Sequence, residues 1–247
     1  MKAGSVYIGT SGWSYKHWRG SFYPEKLAAR RHLTYYAERY NAVELNTSFY
    51  RIPLPGTIEK WMTEFPPGFK ICPKMSRFLS HMKKLNDPEE PLERFFGVID
   101  RMAEFTGPVL IQLPDNLSFK PETVERFYGI LEKRYSAYRF AMEVRHPSWF
   151  SAESISMMKT SGVTLVIAQS GLYPYHEEVT AKDIYLRFHG PSKLYDSSYS
   201  KKTLGGYAEK IHSWQQDGHQ VWAFFNNDIH TYAIKNADTL KKLLSKK

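Results

Sequence analysis

Two glutamates (Glu44, Glu143), three cationic side chains (Lys74, Arg145, Arg187) and two histidines (His146, His189) are the residues of this chain best suited to chemistry. A Lys or Arg within about 4–6 Å of a glutamate holds it ionised, and so makes it a base rather than an acid. Glu143 is therefore expected as the catalytic base, with Lys74 and His189 as proton donors or electrostatic stabilisers. Arginine presents a planar fork that matches a carboxylate or phosphate, which assigns anion binding to Arg145 and Arg187. Three cations against two carboxylates leave an excess that a small anionic ligand would balance. Glu44, Asn46, Gln112 and Asn226 are expected to orient that ligand, and Trp13 and Tyr15 to wall it, in a stretch that also holds Trp18, Phe22 and Tyr23.

These residues recur in one phase of strand-like segments. In Phe140–Arg145, Phe140, Met142 and Val144 face one side while Ala141, Glu143 and Arg145 face the other. Eight such segments are expected: 6–10, 42–46, 70–74, 109–113, 139–145, 164–169, 184–189 and 220–226. Helix-forming stretches follow most of them: 24–40, 55–65, 89–105, 121–134, 148–160 (with Gly162 as its cap), 201–216 and 228–244. The link 170–180 supports no clear helix. Alternating strands and helices imply parallel strands joined by crossovers. The expected fold is α/β, a single-domain (β/α)8 TIM-type barrel over residues 1–247, with an irregular or missing helix after strand 6. A doubly wound open sheet is the alternative, but its central strands would carry more strictly apolar residues.

In a barrel, the first inward residue of each strand is apolar or small: Ala42, Cys72, Leu110, Ala141, Tyr185. Later inward residues are polar or charged and gather at the C-terminal mouth, where barrel enzymes hold their sites. Buried charge is costly unless paired, so such a ring marks either a functional cleft or an internal salt-bridge plug. His146 is one residue out of phase and depends on its loop.

Composition narrows the partners. With 42% hydrophobic and 24% charged residues, the chain is an ordinary globular one, and no apolar run is long enough for a bilayer. The N-terminus lacks the apolar core of a secretory signal, and the single cysteine, Cys72, fits a reducing cytosol, so a cytoplasmic location is expected. A net charge of +9 favours acidic partners, nucleic acid among them, although runs such as Lys201-Lys202, Lys241-Lys242 and Lys246-Lys247 suit solvated faces or tails. No dinucleotide fingerprint, phosphate loop, nucleophile elbow or His-Glu-x-x-His motif is present.

Several segments carry a resemblance. Ile8-Gly9-Thr10-Ser11-Gly12-Trp13-Ser14-Tyr15, Val43-Glu44-Leu45-Asn46-Thr47-Ser48-Phe49-Tyr50-Arg51 and Glu143-Val144-Arg145-His146-Pro147-Ser148-Trp149 are three of them. With Tyr185-Leu186-Arg187-Phe188-His189-Gly190 and Phe224-Phe225-Asn226-Asn227-Asp228, they resemble the uncharacterised family called domain of unknown function 72. The resemblance covers nearly the whole chain and implies a TIM-type barrel, but it implies no reaction. The leading expectation is a cytosolic enzyme doing acid–base chemistry on a small anionic, phosphorylated or nucleotide-like ligand, with no cofactor. One alternative is a metal-dependent hydrolase or nuclease-like barrel, its divalent metal on Glu44, Glu143 and His189. The other is a module that binds a ligand without converting it.

Overall fold

The computed structural model describes residues 4–245; the N-terminal Met1-Lys2-Ala3 and the Lys246-Lys247 tail of the sequence reading lie outside the described residues. The strands are β1 (Val6–Thr10), β2 (Ala42–Leu45), β3 (Lys70–Pro73), β4 (Val109–Gln112), β5 (Phe140–Glu143), β6 (Thr164–Gln169), β7 (Asp183–Phe188) and β8 (Gln220–Phe225). The helices are α1 (His32–Ala37), α2 (Thr47–Tyr50), α3 (Pro55–Met62), α4 (Glu89–Ile99), α5 (Pro121–Tyr135), α6 (Ala152–Thr160), α7 (Lys201–Gln216) and α8 (Tyr232–Leu244). No helix among the described residues is long and apolar enough to cross a membrane.

All strand pairs are parallel, but the expected closed eight-stranded barrel does not form. The ladder splits into a curled, open six-stranded sheet, β1-β8-β7-β6-β5-β4, and a separate pair, β2-β3. Side chains interrupt the seam between β1 and β2. The β1 donor Ile8 N is taken by Asn41 Oδ1 at 2.8 Å, and Thr10 N by the Tyr36 hydroxyl at 2.8 Å. Asn41 Nδ2 donates in turn to Val6 O, and the Tyr36 hydroxyl to Ala42 O. A single bridge, Ser11 to Glu44, spans what remains. Proline interrupts the other seam. Pro73 has no N–H to offer β4, and Pro108 precedes β4 with none to offer β3. Isolated bridges, Ile71 to Thr106 and Lys74 to Leu110, flank the gap.

The β1–β2 seam is close as well as irregular. A Cβ on Gly9 would stand 1.9 Å from Ala42 O and 2.8 Å from the Tyr36 hydroxyl oxygen. Gly9→Ala must therefore push the seam apart. It is expected to lower unfolding free energy by about 3 kcal/mol, the upper end for overpacking, in denaturant titration. Unchanged stability would mean that the seam is slack.

Alternation along the strands sorts two apolar layers. Val43, Ile71, Ile111, Met142, Leu186 and Ala223 join the main core beneath the helices. Ala42, Cys72, Leu110, Ala141 and Tyr185 form a second cluster with Val166, Ala168, Trp222 and Phe224 on the other face. Several helix starts differ from expectation. The first α-helix begins at His32, after an extended Ala28 at ψ 137° and a 3-10 turn over Ala29–Arg31. After β5, Pro147–Phe150 makes a separate turn, and Ser151 caps α6 by accepting from Ser154 N. The last helix begins at Tyr232, after positive φ at His230 and Thr231. Gly162, at φ +63°, ends α6 as expected, and the link 170–180 carries no helix.

Candidate functional site

The C-terminal ends of the strands bring Glu44, Lys74, Gln112, Glu143, Arg145, Arg187, His189 and Asn226 into one connected network. Arg187, fully buried on β7, is its centre. Its Nε and Nη2 donate to Glu44 Oε1 and Oε2 at 2.7 and 2.9 Å, a bidentate pair. Its Nη1 donates to Glu143 Oε2 and, at 3.3 Å, to Gln112 Oε1. Glu44 accepts two further hydrogen bonds, from Tyr185 Oη at 2.9 Å and from Ser11 Oγ. Sequence alone assigns Tyr185 to filling the inner face, yet it shares the inward phase of Arg187 two residues on. Ser11 lies past the end of β1, where strand phase carries no signal.

Glu143 is equally engaged. Arg145 Nε donates to Oε1 at 2.8 Å, and His189 Nε2 lies 3.2 Å from Oε2. Burial alone would push this carboxyl up. Arg187, His189 and Arg145 outweigh burial and hold it well below the usual carboxylate range. The other His189 nitrogen, Nδ1, faces Asn226 Nδ2 at 3.2 Å. An amide nitrogen only donates, so Nδ1 accepts and the imidazole proton sits on Nε2, toward Glu143. Burial also lowers the His189 pKa, which favours this neutral form.

Lys74 has a different environment. It is 8% exposed, and its Nζ donates to Gln112 Oε1, a neutral acceptor, at 2.8 Å. The ammonium also lies 4.1 Å from the centre of the Phe49 ring. Burial, and then the charge of Arg187, lower its pKa to about 7. The neighbouring His81 ring is edge-on to Phe49 at 5.0 Å. Burial, then Lys74 and Arg145, lower the His81 pKa to about 4.

Two polar atoms of this region are buried without a hydrogen-bond partner among the described residues: Arg145 Nη2 and Asn46 Oδ1. Arg145 Nη2 lies 2.7 Å from Glu143 Oε1 in ion-pair contact and makes no aligned hydrogen bond among the described residues. The guanidinium packs on the Tyr173 ring at 4.0 Å. Asn46 Nδ2 donates to Ser11 O at 3.3 Å. Tyr15 joins the same turn by donating to Ser11 O. Trp13, the other expected wall, packs edge-on against Trp61 of α3 at 5.2 Å. His146 caps its own turn, its Nδ1 2.8 Å from Ser148 Oγ and 3.3 Å from Ser148 N.

The metal set Glu44, Glu143 and His189 does not assemble, because the Arg187 guanidinium stands between the two carboxylates. Among the described residues no three His, Cys, Asp or Glu side chains converge to hold a metal. Cys72 is buried in the inner cluster, and burial pushes its thiol well up.

A family model described as a protein of unknown function, DUF72, matches residues 7–247. The UPF0759 protein YecE of Escherichia coli K12 is 24% identical over 236 residues, covering 85% of this chain and 82% of that protein. The UPF0759 protein YunF of Bacillus subtilis is 26% identical over 270 residues, covering 97% and 94%. A solved DUF72 family protein from Thermotoga maritima superposes with a TM-score of 0.85 at 31% identity, over 98% of this chain and 99% of that one. One from Enterococcus faecalis gives 0.84 at 20% identity, over 97% and 95%, a likeness of fold alone.

Proposed function

The chain belongs to the DUF72 family of proteins of unknown function, and for this member we propose an enzyme doing acid–base chemistry on a small anionic compound at the C-terminal strand ends. Phosphorylated and nucleotide-like compounds fall within that class. One observation carries the reading: a buried donor and a buried acceptor, Arg145 Nη2 and Asn46 Oδ1, both lack a hydrogen-bond partner among the described residues, in the region of a lysine whose hydrogen bond goes to a neutral amide. Buried polar groups are rarely left unpaired, and a ligand that accepts from one and donates to the other would complete both.

The roles follow from what each group has left to give. Lys74, titrating near pH 7, carries the proton, since catalytic efficiency is greatest when the pKa lies near the working pH. Arg145 receives the anion. Arg187 is committed to Glu44 and Glu143, so it sets the field and positions the carboxylates. Glu143 keeps Arg145 and His189 in place, and Gln112 and Asn226 fix the Lys74 amine and the His189 tautomer. Engagement of both Glu143 oxygens also favours a second reading, a module that binds without converting. In that case the ligand is recovered unchanged after long incubation.

The test is thermal unfolding with inorganic phosphate, a sugar phosphate, adenosine monophosphate and a monocarboxylate as probes. At a hundredfold excess over Kd, a binding anion adds about 2.7 kcal/mol to stability. That gain is expected in the native chain and absent in Arg145→Gln. If none of these anions moves the transition, the reading fails.

A further inference from the structure

Lys74 is not held as an ammonium by any carboxylate in the network. Glu44 is filled by Arg187, Tyr185 and Ser11, and Glu143 by Arg187, Arg145 and His189. The Nζ atom instead gives one hydrogen bond to Gln112 Oε1 and rests against the Phe49 ring. When the amine is neutral, that leaves a lone pair on nitrogen. A lysine desolvated beside other cations is the setting in which an amine acts as a nucleophile toward carbonyl carbon.

We propose that Lys74 forms an imine with a 2-oxo monocarboxylate whose carboxylate is received by Arg145. The inference rests on the anionic-ligand reading above and deepens it. Formal charge selects the substrate class. Arg187 and Arg145 are matched by Glu44 and Glu143, and the unmatched charge is that of Lys74 itself. A monocarboxylate entering with the neutral amine brings one negative charge, and the iminium formed from Lys74 supplies the one positive charge that balances it. A phosphate dianion would leave a negative charge uncompensated. The nitrogen lone pair forms the new N–C bond. The carbonyl oxygen takes both amine protons and leaves as water, and one proton from solvent converts the imine to iminium. Around Lys74 the charged and titratable groups are Arg187, Glu143, Glu44 and Arg145, with His81 held neutral beside Phe49.

The experiment treats the full chain with pyruvate and sodium borohydride, which reduces an imine to a stable amine. Mass spectrometry is expected to find one adduct per chain, equal to pyruvic acid less one oxygen atom, on the peptide that contains Lys74. The trapped fraction is expected to rise with pH through about 7 as the amine loses its proton. Arg145→Gln is expected to cut trapping about tenfold, the effect of one charge-assisted hydrogen bond, and Lys74→Met to abolish it. Mapping the adduct in the native chain makes the result independent of how the variants fold. No adduct, or label on other lysines that persists in Lys74→Met, overturns the imine. If pyruvate raises the melting temperature through Arg145 while borohydride leaves the mass unchanged, the imine alone falls. If pyruvate and phosphate both fail to move the transition, the anionic-ligand reading falls with it.

Discussion

Lys74→Met is expected to make the ligand-free protein more stable at pH 7, by about 4 kcal/mol, while removing its response to anions. An amine moved from 10.5 to about 7, at about 1.4 kcal/mol per unit, costs about 5 kcal/mol when fully protonated, and at pH 7, where half of the folded amine has shed its proton, about 4 of this remains. The sign is fixed by proton counting. Between the folded and unfolded values the unfolded chain binds the proton that the folded chain has shed, so native stability rises with pH across that window. Below about 7 the cost of burying the charge is fully present; above the unfolded value it is gone. Methionine keeps most of the stem and has no charge to bury. Denaturant titrations at neutral and mildly alkaline pH check both parts: the native chain gains stability toward alkaline pH, and the variant does not. A native profile flat with pH, together with a destabilised variant, would mean that the amine is solvated and its lowered pKa has no basis. The gain sought is a large share of a domain's total stability. A buried lysine that costs this much is more easily understood as serving a ligand than as holding the fold.

The strands were legible because a period of two puts every second residue on one face, and that periodicity survives any detail of closure. Glu143 and Arg145, or Arg187 and His189, share a face for that reason alone. Closure was not legible, because it depends on where single backbone donors go. Asn41 and Tyr36 lie outside the strands, and no pattern in their neighbourhood announces that their side chains will take Ile8 N and Thr10 N. Pro73 and Pro108 were the readable warning, since a proline inside or just before a strand removes a ladder donor. At the candidate site, residue types and phase were visible but pairing was not. The sequence contains three cations and two carboxylates; only coordinates show that Arg187 and Arg145 are paired with the carboxylates while Lys74 is left to an amide. Trp13 belongs with the same difficulty. An aromatic in a loop after a strand suits either a ligand wall or a satellite of the core, and here its ring meets Trp61.

Arg187→Met is expected to destabilise the protein by about 3–5 kcal/mol, the cost of leaving buried charge without its partner. The guanidinium supplies donors to both carboxylates and to Gln112 from a fully buried position. Water cannot replace those donors without opening the curled sheet. Its removal also weakens a pH dependence. In the native protein Glu143 is held below its ordinary range, so its contribution is present above the unfolded carboxylate value and is lost as pH falls through the folded one. Without Arg187, the largest of the charges that hold the carboxyl down is gone, while Arg145 and His189 remain on it. The variant should then lose less stability than the native chain as pH falls through the acid range. Glu44→Gln added to Arg187→Met removes the stranded charge, leaves Glu143 paired with Arg145, and should restore much of the loss, because the damage lies in uncompensated charge rather than in lost packing. Equilibrium unfolding of the single and double variants at two pH values separates these cases. An Arg187→Met protein as stable as the parent, with the parent's pH trend, would show that the carboxylates are not held by this residue, and the division of labour between Arg187, Arg145 and Lys74 would go with it.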